Sequence, residues 1–297
     1  MSLRGKKPEP IEKRLKMFVY GPPAVGKTTA AIQFPKNYII DMERGTDFYA
    51  ESINKAGSVV FKTSSAEEVA QEIKALLTDK HQFRTVTIDP ITQFYHALQE
   101  GWTRIFEKHA KSEKEAEIQD FGMRYWGRVK SDYKSALRAL LKLDTNVIIT
   151  SHQKDVYGPG MQKIGVGADS MKGDNYVFDY VFRLENVGGK RIAITEKERA
   201  EIGKPKFPES FEWSYENFCK FYGTEILERE AKPVEMATAE QVAEIKRLIE
   251  LVKIDDKTIN GWLEKADVDD WSEMNSETIT KCISFVQKKL EPIKGAK

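Results

Sequence analysis

The sequence predicts an α/β protein: a doubly wound, mostly parallel sheet followed by a small C-terminal helical domain. Three observations carry this. From residue 17 to about 194, short β-rich apolar runs alternate with helical stretches, the pattern of βαβ units. The first run, 17–20, leads straight into Gly21-Pro-Pro-Ala-Val-Gly-Lys-Thr28, and a helical stretch, 28–34, follows it. From Thr238 onward the strand signal disappears and only helical periodicity remains.

In chain order, residues 1–16 are charged and punctuated by proline, and read as a loosely held basic arm. The core, 17–227, contains apolar runs expected to be strands at 17–20, 37–41, 58–61, 84–89, 146–151, 178–184 and 191–195. Between them, Val69, Ile73, Leu76 and Leu77 recur at helical spacing in 66–78, and 91–110 is expected to be helical too. The alternating charges of 111–119 suit a solvated helix face, and Tyr125, Val129, Tyr133, Leu137 and Leu141 define a packed helix within 121–143. Residues 154–173 are glycine-rich and read as a long loop, a class that is usually functional or disordered. A charged segment with Pro233, 228–237, reads as a linker to a three-helix domain at 238–291. That domain opens on a capping box, Thr238 to Gln241, and its apolar stripe includes Val242, Ile245, Leu248, Ile249 and Val252.

Composition excludes more than it selects. The 297 residues are 40% apolar, enough for a real core, and net charge is +1, so no global field announces a polyanionic partner. No stretch has the apolar length of a signal peptide or membrane span, so a cytoplasmic protein is expected. Only Cys219 and Cys282 occur, without ligands at metal spacing, which argues against a disulfide framework or zinc finger.

Residues 21–28 match G-x-x-x-x-G-K-[S/T] in full, in the required place between strand and helix. Such a loop needs glycines where backbone N–H groups close on phosphate, a lysine for the β- and γ-phosphates, and a hydroxyl for Mg²⁺. Gly21, Gly26, Lys27 and Thr28 fill those posts; Pro22, Pro23, Ala24, Val25 and Thr29 complete the expected ATP contact. In a doubly wound sheet the ligand lies at the carboxyl ends of the strands, so the polar residues ending each run belong together. Thr85-Val-Thr-Ile-Asp89 ends in the acid expected to hold Mg²⁺ with Thr28. Tyr38-Ile-Ile-Asp-Met-Glu43 ends in two acids, and Glu43 is the candidate to orient the attacking water. Asn146-Val-Ile-Ile-Thr-Ser-His-Gln153 ends in side chains suited to sensing a γ-phosphate, so His152 or Gln153 is the candidate sensor.

These motifs resemble the core of RecA-type recombinases, and within that superfamily the short RecA-like ATPases that tailed bacteriophages encode for single-strand annealing and recombination. Residues 21–28 are similar to the family's Walker A loop, 40–47 to the stretch carrying its catalytic glutamate, Asp89 to its Walker B acid, and 151–153 to its γ-phosphate-sensing segment. The glycine-rich 154–174 resembles its mobile DNA-binding loop, and Lys197 with Arg199 the basic pair that reaches a neighbour's ATP, although the family often has two lysines there. The resemblance covers roughly 17–225. It implies a RecA-like P-loop NTPase that binds ATP and Mg²⁺, forms homo-oligomers with ATP at subunit interfaces, and works on single-stranded DNA, in the host cytoplasm if phage-encoded.

The expected function is therefore a DNA-stimulated ATPase that promotes annealing or strand exchange, with a single-strand-binding protein or nuclease as a candidate partner. Lys154, Lys163 and Lys172 are the candidate phosphate contacts, with Tyr157, Met161 and Ile164 placed to meet unpaired bases. Two rivals stay open: a helicase or helicase loader of the same superfamily, and a nucleotide-gated, partner-binding switch with little turnover.

Overall fold

The computed structural model describes residues 13–112, 114–115, 123–199, 206–231, 235–266 and 268–294. Their contacts divide into two compact units: Met1–Val69, Gln82–Gly101 and Asp144–Ala231 form the first, and Ala70–His81, Trp102–Leu143 and Lys232–Lys297 the second.

The first unit carries a nine-stranded sheet. Its strands are β1 (Lys16–Gly21), β2 (Asn37–Asp41), β3 (Val59–Lys62), β4 (Thr85–Asp89), β5 (Asn146–Tyr157), β6 (Lys163–Ala168), β7 (Tyr180–Val187), β8 (Lys190–Glu198) and β9 (Ser210–Glu212). The order is β3-β2-β4-β5-β1-β7-β8-β9, with β6 paired to β5. All pairings from β3 to β7 are parallel, whereas β8, β9 and β6 run antiparallel to their partners. The strands β1 and β4 are buried on both faces, which is why they read as unbroken apolar runs rather than as alternation. The expected α/β class, with a mostly parallel sheet and a helical C-terminal region, is what is found. The switch to antiparallel pairing is made by Gly188-Gly189, both at positive φ (60° and 80°), the demand of a tight two-residue hairpin between β7 and β8.

Short helices α1 (Lys27–Ile32) and α2 (Ala50–Lys55) follow β1 and β2. Helix α3 (Ala66–Thr78) has the expected stripe, with Val69, Ile73, Leu76 and Leu77 all buried. Helix α4 (Ile91–His109) and α5 (Met123–Lys142) also lie where periodicity put them; most of 111–119 falls outside the described residues. Beyond β9 come α7 (Tyr215–Tyr222) and α8 (Glu225–Glu228), preceded at 174–177 by the one-turn α6 (Asp174–Val177). They close an aromatic core in which Phe182 meets Phe207, Phe211, Trp213 and Phe218 at centroid distances of 5.1 to 6.1 Å.

Two expectations are corrected. The N-terminal arm, 1–16, does not stay loose to its end. Arg14 and Leu15 are buried, because the Arg14 guanidinium bonds Asp144 at 3.1 Å and the carbonyls of Ile226, Arg229 and Glu230; residues 1–12 lie outside the described set. Residues 154–173 are not an irregular loop. β5 continues to Tyr157, and after a 3₁₀ turn at Pro159–Met161 the chain returns as β6. Glycine hides this strand from periodicity, since Gly165 and Gly167 alternate with Ile164 and Val166 but carry no side chain to mark the period. The same glycines make room: a Cβ on Gly167 would lie 3.3 Å from Val156, and one on Gly158 2.9 Å from Ile164.

In the second unit, the C-terminal region comprises α9 (Ala239–Val252), α10 (Asp256–Ala266), a 3₁₀ turn at Trp271–Glu273 and α11 (Ser276–Lys294). The capping box is formed in both directions, Gln241 N donating to Thr238 Oγ1 and Thr238 N to Gln241 Oε1. Ile245, Leu248, Trp271, Met274, Ile279 and Val286 are the buried centre of this cluster.

One consequence of β1 is measurable. The Lys16 ammonium donates to the carbonyl of Thr145 at 3.0 Å in a part-buried position. Burial, opposed by Asp144, brings its pKa down from 10.5 to about 7. Between those values the unfolded chain holds a proton that the folded chain has released, so stability rises with pH from 7 to 9, by up to about 1.4 kcal/mol per unit from this group. Lys16→Met is expected to flatten that rise in urea unfolding at pH 7, 8 and 9. Equal slopes for both proteins would show that the lysine is not desolvated.

Candidate functional site

Strand β1 ends in Gly21, whose backbone runs so close to β7 that a Cβ would sit 2.6 Å from the Leu184 carbonyl oxygen. The loop then turns through Ala24 and Gly26 at φ 59° and 90°, the second a conformation suited to glycine, and enters α1. Lys27 curls back so that its ammonium donates to the carbonyls of Gly21 (3.1 Å) and Pro22 (3.0 Å). Burial holds its pKa below the ordinary lysine value, against the opposing charges of Asp89 and Glu43. The cation is poorly hydrated, close to two acids, and satisfied by neutral carbonyls, an arrangement that an incoming anion improves.

Parallel pairing brings the carboxyl end of β4 beside β2 and β5. Thr28 Oγ1 donates to Asp89 Oδ2 at 2.6 Å, and Thr150 Oγ1 donates to the other oxygen. Asp89 is buried, and burial raises its pKa; the two hydroxyls oppose that shift, while the charges of Asp41 and Glu43 add to it. A buried carboxylate with only hydroxyl partners and two acids nearby calls for a cation. Thr28 and Asp89 are thus a fitting pair of oxygen ligands for a Mg²⁺ that takes its remaining ligands from water and phosphate. No cluster of three or more His, Cys, Asp or Glu suited to holding a metal occurs among the described residues.

The two acids ending β2 have separate duties. Asp41 is buried and accepts from the N–H groups of Glu43 (3.1 Å), Gly45 (3.1 Å) and Thr46 (3.0 Å) and from the Thr46 hydroxyl, so it builds the turn. Glu43 projects from that turn, half-exposed. Its carboxylate takes a hydrogen bond from Gln93 Nε2 at 2.7 Å and lies 2.8 Å from His152 Nε2. Gly45 packs where a Cβ would be 3.1 Å from Thr28 Oγ1.

One cleft of about 620 Å³ collects these groups: the loop residues Gly21, Pro23, Ala24, Gly26, Lys27, Thr28 and Thr29 with Glu43, Asp89, His152 and Gln153. Pro22 and Val25 do not line it: the Pro22 carbonyl accepts from Lys27, and Val25 is buried. Lys197 and Arg199 do not line it. Lys197 Nζ donates to the carbonyls of Asn175 (2.7 Å) and Tyr176 (2.9 Å), and Arg199 to Tyr176 O (3.2 Å) and, at 3.3 Å, to Asp179. The pair therefore cap the end of α6 within their own chain. Of the candidate DNA lysines, Lys154 pairs with Asp169 (3.1 Å) and Lys163 with Asp155 (2.8 Å), while Lys172 lies beyond β6 and is exposed.

Four residues at the site were not anticipated: Asp41 as turn builder, Thr150 on Asp89, Gln93 on Glu43, and Arg191, which lines the cleft from β8. Thr150 precedes a strand end and Gln93 follows Asp89-Pro90 by three positions, so both lay near signals already read. Arg191 had no such neighbour, only the Gly-Gly turn before it.

The sequence model of the AAA domain family matches residues 13–207, most of the chain and all of the cleft. The chain belongs to the AAA domain family. Its AAA domain is a nucleotide-binding P-loop ATPase, and the loop, the buried acid and the sheet described above are its parts. Among solved structures it is similar to one titled as the crystal structure of the RadB recombinase, with 20% identity over 74% of this chain and 90% of that one, and a TM-score of 0.39. No curated protein matches. No described helix of the AAA domain or the region after it is long and apolar enough to cross a membrane.

Proposed function

We propose that this AAA domain protein is a RecA-type ATPase that binds single-stranded DNA and promotes annealing or strand exchange, in oligomers that share ATP between subunits. In this reading Lys27 and the loop N–H groups hold the phosphates, and Thr28 with Asp89 hold Mg²⁺, which when bound neutralises charge developing on the phosphates. Glu43 orients the attacking water, and His152 or Gln153 faces the γ-phosphate. Lys197 and Arg199, at and just past the end of β8, would reach the neighbour's nucleotide by giving up the carbonyls at the end of α6 that they hold in the single chain.

The observation that carries the DNA assignment is the continuity of β5. Its pairing with β1 runs to His152, and its pairing with β6 begins at the next residue, Gln153. A single strand thus passes from the nucleotide cleft into a hairpin whose tip exposes Tyr157 (56%), Met161 (83%) and Ile164 (65%). Exposed apolar and aromatic groups beside lysines are what unpaired bases and their phosphates require.

The test is ATP hydrolysis with and without single-stranded DNA, using the protein and its Lys154→Ala/Lys163→Ala/Lys172→Ala variant. DNA is expected to stimulate turnover in the parent. In the variant, basal turnover stays, stimulation falls, and the salt slope of DNA binding drops by up to about two units for three phosphate contacts. Unchanged affinity and slope would move the contact away from the hairpin. Directional duplex unwinding would favour a helicase, and absence of hydrolysis with or without DNA a nucleotide-gated switch.

A further inference from the structure

We infer that Arg191 is a second cation for the nucleotide's phosphates, supplied from β8 of the same subunit; this rests on the ATP-binding reading of the cleft. Arg191 follows the Gly188-Gly189 turn and stands two strands away from the P-loop strand, with β7 between them. Its side chain crosses that distance and donates Nε–H to the carbonyl of Val25 at 2.9 Å.

Two facts make this more than packing. The guanidinium lies directly against Gly26: a Cβ there would come within 2.1 Å of Nη2 and 2.4 Å of both Cζ and Nε. Gly26 is thus required twice, once for its φ of 90° and once to admit the arginine to the loop. Secondly, the Nε bond uses one of five donors, and the described residues supply no partner for the terminal nitrogens of a group that lines the cleft. A guanidinium fixed at one edge, with its fork of N–H groups free at the other, is suited to phosphate oxygens.

The charge balance agrees. Among the described residues lining the cleft, Glu43 and Asp89 stand against Lys27, so without Arg191 the acids outnumber the cations two to one and Arg191 brings them level. A polyphosphate adds several negative charges, and a second fixed cation offsets part of them. This contribution is made in cis and differs from any made across a subunit boundary by Lys197 and Arg199.

Calorimetric titration of the full chain with ATP, ADP and adenosine, at two salt concentrations, tests this with Arg191→Ala, Arg191→Lys and Arg191→Gln. Lysine keeps the charge; glutamine keeps a donor for the Val25 carbonyl without charge. For Ala and Gln, affinity for ATP and ADP is expected to fall by about ten- to a hundredfold, the range of a charged hydrogen bond, and to depend less on salt. Lys, which keeps the charge and loses the fork, is expected to bind more weakly than the parent and more tightly than Gln, and adenosine binding to be the same in all four proteins. ATP affinity unchanged in Ala, or restored by Gln and not by Lys, would overturn the inference and reduce Arg191 to a support for the loop backbone. If the parent protein binds neither ATP nor ADP, the P-loop reading falls first and this inference with it.

Discussion

Lys27→Ala is expected to lose ATP binding by about a hundredfold or more, the largest effect of any single substitution in the cleft. The reason lies in how the ammonium is held. It is desolvated, its pKa is depressed by burial, and its partners are the carbonyls of Gly21 and Pro22. Phosphate oxygens offer the same donors a charged acceptor, so the energy of that exchange goes into affinity. Among the described residues the two loop carbonyls are the hydrogen-bond partners of the side chain, and the alanine variant should melt close to the parent. Titration with a fluorescent ATP analogue measures the loss; tight binding by a folded Lys27→Ala protein would mean that the loop does not hold the phosphates.

Glu43→Gln is expected to separate binding from turnover: ATP affinity within a few-fold of the parent, and hydrolysis reduced by about 10² to 10⁴, the usual contribution of a positioned base. Glutamine preserves the length of the side chain and an oxygen to accept from Gln93, but loses the carboxylate charge beside His152. Asp41→Asn is the control, because Asp41 accepts from three backbone N–H groups and a hydroxyl to build the turn. It should cost stability and activity together. Steady-state hydrolysis, nucleotide titration and thermal melting of both variants distinguish the cases, and a Glu43→Gln protein hydrolysing at the parental rate would remove Glu43 from the chemistry.

The parts of this site legible in the sequence were those written locally. A strand, a glycine loop and a helix are contiguous, and acids ending β2 and β4 announce themselves because an apolar run stops at them. Doubly wound topology does the rest, since it gathers the carboxyl ends of strands whatever their distance along the chain. What could not be read is pairwise and remote. Gln93 meets Glu43 across 50 positions, Arg191 meets Val25 across 166, and neither contact leaves a periodic trace. Asp41 and Glu43 share a pattern and differ only in which one the turn folds around. The β5–β6 hairpin escaped for the opposite reason: its signal is local, but half of its alternation is glycine.

The hand-over on β5 has a kinetic consequence. Amides up to His152 are locked between β1 and β4 or along β1, inside a sheet that opens only with the unit, whereas those from Lys154 to Tyr157 are held by β6 on one side. Hydrogen exchange along this one strand should therefore step within two residues, from global to local opening, at the point where His152 touches Glu43. Whatever grips the hairpin would slow exchange beyond the step first, and its spread back across Gln153 would time the arrival of that event at the phosphate end.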